Sequence, residues 1–194
     1  VIISISGRPG SGKSAVARVL AAELGLDHVS AGDFMRQMAY ERGMSILELS
    51  RIAETDVAID HEIDARTTRL GDTADGFVID ARLAWHFLPQ SVKVFLDVTP
   101  EVAAARIYGA GRGVEHENID VEATRRAIEA RRSSEEDRYR RYYGIDPTDL
   151  ASFDLVIDTS ELDVEAVVAV IRRFVAARHG EGGEDGPGPA HRPL

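Results

Sequence analysis

Eight consecutive residues, Gly7-Arg8-Pro9-Gly10-Ser11-Gly12-Lys13-Ser14, carry the sharpest chemical signal in the chain. They match the pattern G-x-x-x-x-G-K-[ST] at every fixed position. Glycines let successive backbone N–H groups turn inward around an anion without Cβ collisions. A helix opening at Lys13 adds its unpaired amide donors and the positive end of its dipole. The chemistry this predicts is a cradle for nucleotide phosphates spanning Gly7 to Ala15. In it Lys13 reaches the β/γ-phosphates and Ser14 Oγ ligates Mg²⁺.

Further polar clusters follow at intervals: Ser30-Ala31-Gly32-Asp33 with Arg36, Asp80-Ala81-Arg82, Asp97, and Asp158-Thr159-Ser160. Arg36 and Arg82 are candidates to clamp a second, accepting phosphate opposite the loop, with Ser30, Gly32, Asp33 and Asp80 beside it. A charge-assisted hydrogen bond contributes ~1.5–3 kcal/mol, so two bidentate arginines suffice to fix a phosphate. The competing interpretation is a surface ion pair worth under ~1 kcal/mol. Asp80 has two compatible roles, holding a Mg²⁺-bound water beside Ser14 or capping a helix that begins at Ala81. Asp97 has the same ambiguity, with Thr99 available as the cap beyond it. His28, His61 and His86 lack metal-ligand spacing and read as structural or solvent-facing. The stretch 109–138 reads as a hinged cover carrying Arg112, Arg125, Arg131, Arg132 and Arg138. Two or three of these are expected at a migrating phosphoryl group, supplying charge and excluding water. The others would be solvated Glu–Arg pairs.

The elements that must position these residues are legible as apolar runs. Strands are predicted at 1–6, 27–29, 76–80, 92–97 and 154–158. The third and fourth are nearly continuous apolar runs, as in strands buried on both faces of a parallel sheet. Helices are predicted at 13–24, from Phe34 towards Glu41, from the capping box Ser45-Ile46-Leu47-Glu48, over 56–70, from Pro100 to Tyr108, over about 119–143, and on the stripe Val164 to Val175. Strands separated by helices at this spacing give βαβ units, hence an α/β fold with a five-stranded parallel sheet between helical layers. Ligands in such sheets sit at the carboxyl ends of the strands, where all five polar clusters fall. One domain over 1–178 is expected, followed by a disordered tail at 179–194 rich in glycine, proline and acid.

The 194 residues, 44% hydrophobic and 29% charged, suit a single globular domain. The absence of cysteine excludes disulfides and thiol chemistry. A formal charge of −10 excludes a surface that coats nucleic-acid polymers, but leaves room for a small anion inside an arginine-lined cleft. No apolar stretch approaches the ~20 residues of a membrane span. No signal segment precedes the first strand, so a cytoplasmic monomer with no membrane partner is expected.

Taken together, the motifs resemble the nucleoside monophosphate kinase family, and within it the short archaeal-type cytidylate kinases and their bacterial relatives. The likeness rests on Gly7 to Ser14, on His28-Val29-Ser30-Ala31-Gly32-Asp33 with Arg36, and on Glu41-Arg42-Gly43-Met44-Ser45. It continues through Arg82-Leu83-Ala84-Trp85, Arg138-Tyr139 with Tyr143-Gly144-Ile145-Asp146, and Asp154 to Ser160, covering about residues 1–175. The resemblance implies a P-loop NTPase core in three α/β/α layers, a helical monophosphate-binding segment at about 31–70 and a short lid. It implies transfer from ATP, with Mg²⁺, to CMP or dCMP. It also implies that Arg36 and Arg82 hold the monophosphate, and that Arg131, Arg132 and Arg138 reach the migrating group. Arg106 and the loop after Asp158 would lie near the adenine. Two departures stand out: Asp80-Ala81 where many relatives place glutamate and glycine, and the charged Arg8 within the loop.

Competing assignments are a kinase for another small acceptor (AMP, a sugar acid or dephospho-coenzyme A) and a regulator that binds ATP without turning it over. The paired arginines favour a phosphorylated acceptor, and the arginine-bearing cover favours catalysis over sensing.

Overall fold

The computed structural model describes residues 1–53, 55–109 and 120–180, apart from the side chains of Ile46, Leu47, Ser50, Arg131, Ser134 and His179. Five strands run β1 (Ile2–Gly7), β2 (Asp27–Ser30), β3 (Phe77–Asp80), β4 (Val92–Asp97) and β5 (Leu155–Asp158). The helices are α1 (Lys13–Leu24), α2 (Ala31–Glu41), α3 (Ile46–Ala53), α4 (Val57–Thr73), α5 (Ala84–Phe87), α6 (Pro100–Gly109), α7 (Val121–Tyr143) and α8 (Val164–Gly180). All strand pairs are parallel, as the sequence predicts, and their order is β2-β3-β1-β4-β5. With β1 central, the loop that follows it is flanked by the ends of β3 and β4.

Alternation along the strands divides the core into two layers. Ile3, Ile5, Val78, Val94 and Leu96 face α1 and α8, whose Val16, Leu20, Val168 and Ile171 close that side. Ile2, Phe77, Ile79 and Ala81 face the other way, against Ala84, Leu88, Phe34 and Leu70. Each fully buried aliphatic or aromatic side chain contributes ~1.5–3 kcal/mol, so these layers fix the sheet on which the strand ends stand. A third cluster of Met38, Ala39, Leu49 and Ile59 belongs to α2, α3 and α4 alone. The helical segment beside the sheet therefore carries a small core of its own.

Several boundaries differ from the sequence expectation, for local reasons. Helix α2 opens at Ala31 rather than Phe34, because Ser30 Oγ accepts from Asp33 N–H at 3.2 Å and caps the helix early. Arg36 consequently lies in its second turn. The capping box holds, with Ser45 N–H donating to Glu48 Oε2 at 2.7 Å and Glu48 N–H donating to Ser45 Oγ at 3.2 Å. Helix α7 begins at Val121 behind an Asp120 cap whose Oδ1 accepts from Ala123 N–H at 2.7 Å. Two elements carry no periodicity long enough to be seen in sequence, α5 and a 3₁₀ turn at Leu150–Ser152. Helix α8 runs on to Gly180, so residues 179 and 180 are helical rather than the start of a tail. Residues 181–194 lie outside the described residues, as do 110–119 with Arg112.

Candidate functional site

The loop after β1 is shaped by how closely other backbone approaches it. Gly7 has φ +146°, and a Cβ there would sit 2.2 Å from Leu96 O in β4. Gly10 has φ +80°, and its Cβ would sit 2.7 Å from Ala103 Cα in α6. No side chain fits either place, so these glycines are required by contact as well as by conformation. Arg8 N–H donates to Leu96 O at 3.1 Å, and Arg8 Nε donates to Asp97 Oδ1 at 2.5 Å. The charge in the loop is thus anchored to the end of β4, and Asp97 anchors it. Helix α1 opens directly on the loop with no side-chain cap and no acidic residue in its first turn. Its terminal amides are left to whatever anion the loop holds.

Lys13 Nζ donates to Gly7 O at 2.9 Å and Arg8 O at 3.0 Å, which folds the ammonium back over the loop. Ser11 Oγ is buried and has no hydrogen-bond partner among the described residues. Ser14 Oγ donates to Asp80 Oδ2 at 2.6 Å, and His28 Nε2 lies 2.7 Å from Asp80 Oδ1. Asp80 therefore faces the loop and caps no helix: α5 starts only at Ala84, behind Leu83. His28, expected to be structural or solvent-facing, is a direct partner of Asp80. The alternation of β2 could have pointed to it, since His28 and Ser30 share a face and Ser30 is in register with Asp80.

Arg106 is tied to the loop after β5. It donates to Thr159 O at 2.7 Å, Leu162 O at 3.3 Å and Gly10 O at 3.5 Å. Buried Thr159 in turn lies 3.2 Å from Ser11 O and 2.9 Å from Asp97 O. Arg106 thus joins the β1 and β5 loops.

The opposing wall is built from arginines already paired with carboxylates. Arg82 pairs with Glu135 of α7, and Arg132 Nε lies 3.4 Å from Glu136 Oε1. Arg82, Arg132 and Glu135 line one cleft together with Gly7, Arg8 and Pro9. A neighbouring cleft shares Arg8, Pro9 and Arg132 and adds Arg125, which is chelated by Glu122 at 2.7 and 2.9 Å. Arg138 turns away to Asp60, with Nε 2.8 Å from Oδ2. Arg36 pairs with Asp33 and holds Asp33 below its ordinary range, its guanidinium lying over Gly32 near Ser30. It is 62% exposed and outside the lining of the first cleft, so only Arg82 of the expected clamp stands in that lining. Arg131 lies in α7 with its side chain outside what is described.

Behind Arg138 is a half-buried acidic pair, Asp60 and Asp64, that spacing did not signal as a site. Burial raises Asp60 against the lowering pull of Arg138 and Arg82. Asp64, one turn on, is raised to about 6, chiefly by burial, although Tyr143 O–H donates to it. The same burial and the Asp64 contact push the Tyr143 phenol upward. A charged carboxylate out of water is costly unless paired.

A five-stranded parallel sheet between helical layers, with a glycine loop after its first strand, gives the chain an α/β kinase fold. A solved structure of shikimate kinase from Bacteroides thetaiotaomicron shares this fold, with a TM-score of 0.63 over 90% of this chain and 98% of that one at 14% identity. The profile of the cytidylate kinase-like family matches residues 2–161, and the chain belongs to that family. It is 44% identical over 166 residues to a cytidylate kinase of Methanothermobacter thermautotrophicus, covering 86% of this chain and 99% of that one. To a cytidylate kinase of Methanopyrus kandleri it is 39% identical over 186 residues, covering 90% and 93%. The protein is a cytidylate kinase-like phosphotransferase. Among the described residues no helix is long and apolar enough to cross a membrane.

Proposed function

We propose that the protein transfers the γ-phosphoryl group of ATP to CMP or dCMP, giving ADP and the corresponding diphosphate. The observation that carries this reading is the shared cleft: loop residues Gly7, Arg8 and Pro9 stand on one side, Arg82 and Arg132 on the other. A phosphate on the loop and a phosphate on Arg82 then face each other across it. An acceptor phosphate oxygen attacks the γ-phosphorus as the bond to the β,γ-bridging oxygen breaks, and ADP leaves with that electron pair. The nucleophile is already an anion, so no side chain need act as general base. Catalysis reduces to placement and charge.

The residues present fit Mg²⁺. Ser14 Oγ and Asp80 present oxygen donors at the foot of the loop, in hydrogen-bond contact with each other. Among the described residues no group of three His, Cys, Asp or Glu side chains converges on a metal site. Mg²⁺ requires none, because it keeps waters and takes phosphate oxygens with one or two protein ligands. Ser14 would hold the ion directly and Asp80 through water; when bound, it neutralises charge on the donor phosphates. Lys13, released from the Gly7 and Arg8 carbonyls, follows the migrating charge. Arg82 fixes the acceptor, Arg132 lies within reach of the transferring group, and Arg36 with Ser30, Gly32 and Asp33 forms the outer part of the acceptor side. Arg131 and Arg138 are assigned to the migrating group, Arg138 by exchange from Asp60.

The test is a coupled ADP-release assay across CMP, dCMP, UMP, AMP, gluconate and dephospho-coenzyme A. Turnover of CMP or dCMP above the rest is expected. ATP binding without turnover of any acceptor sinks the kinase reading, and turnover of another acceptor alone reassigns the substrate.

A further inference from the structure

Asp80 is gripped at both carboxylate oxygens, by Ser14 Oγ at 2.6 Å and by His28 Nε2 at 2.7 Å. Three elements meet there: Ser14 at the start of α1, His28 in β2 and Asp80 at the end of β3. The register pairs His28 with Val78 and Ser30 with Asp80, and Val78 faces α1 with Ile3 and Ile5. His28 and Asp80 therefore lie on the sheet face that α1 covers, directly under the helix that opens the loop. The Asp80 side chain is 8% exposed and that of His28 22%. A carboxylate accepting at both oxygens cannot rotate without losing a bond. The Ser14 hydroxyl hydrogen stays committed to Asp80, which leaves its oxygen lone pairs free to turn towards the loop.

We propose that His28 is a positioning residue for the divalent cation that accompanies the donor nucleotide: its Nε2–H locks Asp80, and Asp80 aims Ser14 Oγ. This deepens the phosphotransfer reading and rests on its nucleotide–metal site. The role needs only a donor at Nε2, which the neutral Nε2–H tautomer and the imidazolium both supply. Removing an outer partner of this kind typically weakens metal binding about 10–100-fold. The sequence neighbourhood of the loop does not reveal His28, because it reaches the site across the sheet from another strand.

The test measures Mn²⁺ binding to the protein–ADP complex by the loss of the free Mn²⁺ electron paramagnetic resonance signal. ADP binding in the presence of EDTA is measured in parallel. His28→Leu is expected to weaken Mn²⁺ binding about tenfold or more, with metal-free ADP affinity held within about twofold. His28→Gln, whose amide nitrogen reaches as far as Nε2, is expected to retain most of the Mn²⁺ affinity, while the shorter His28→Asn loses it as Leu does. Should the leucine variant fail to fold, the Gln–Asn pair carries the test. Wild-type Mn²⁺ affinity in the Asn variant overturns the proposal, as does equal loss in Gln and Asn, which marks packing alone. A wild type that binds Mn²⁺ with ADP yet phosphorylates nothing removes the kinase reading and leaves this role standing. One that binds no Mn²⁺ with ADP removes both.

Discussion

The two sides of the cleft are held by different physics. On the loop side, backbone meets backbone: Gly7 against Leu96, Gly10 against Ala103, and Lys13 on two carbonyls. On the arginine side, guanidinium groups rest on carboxylates, Arg82 on Glu135 and Arg132 on Glu136. Close-packed contacts have one arrangement, whereas ion pairs in partial contact with solvent exchange at small cost. The loop side is therefore set before any ligand arrives, and the arginine side has its charge internally neutralised. An incoming phosphate displaces one anion by another, so its net gain is the difference between two pairings.

The contrast can be broken at its strongest point with Lys13→Ala. Loss of a group that follows developing charge should lower turnover about 10²–10³-fold, with thermal unfolding unchanged; near-normal turnover in the purified variant removes the assigned role. Arg82→Ala probes the other wall. A lost charge-assisted pair of ~1.5–3 kcal/mol should lower kcat/KM for the acceptor about 10–100-fold while the KM for ATP stays put. Equal damage to both substrates would show that the two walls are not separable. Gly10→Ala tests whether the loop is rigid by contact. Its Cβ meets α6 backbone, so unfolding free energy should fall by about 1–3 kcal/mol with a matching loss of ATP affinity.

The smallest effect concerns Asp64. Its folded pKa of about 6 stands above the ordinary 3.8, so ionising it in the fold is costly. Wild-type stability from this group is complete below pH 3.8 and is lost as pH rises through 6. Asp64→Asn keeps an acceptor for Tyr143 without that loss. Its stability relative to wild type should rise between pH 4 and 6 by about 1 kcal/mol, after allowing for the solvent that still reaches the group, and level off above 7. Chemical denaturation across that range checks the sign; a flat difference refutes it.

The loop side was legible in the sequence because its signal is local: strand, glycines and helix fall within two dozen residues. The parallel sheet and the collection of polar residues on one rim followed from the same βαβ logic, whereas the strand order β2-β3-β1-β4-β5 is seen only in the fold. The positions of Arg82 and Arg132 were legible too, but their partners were not. Glu135 meets Arg82 from 53 residues away, and Asp60 meets Arg138 from 78. Such pairings depend on how α4 and α7 pack over the strand ends, which no local pattern encodes. His28 was missed for a different reason: the alternation of β2 puts it on the face of Ser30, but its partner Asp80 lies on the neighbouring strand, 52 residues on. Arg36 was placed correctly beside the end of β2, yet its nearest carboxylate, Asp33, claims it first.

The meeting of Gly10 with Ala103 has a mechanical consequence. At Gly10 the loop and α6 approach so closely that only the Ala103 methyl group stands beside the contact. With so little between them to compress, a tilt of α6 is passed on to the loop, and a swelling of the loop is felt along α6.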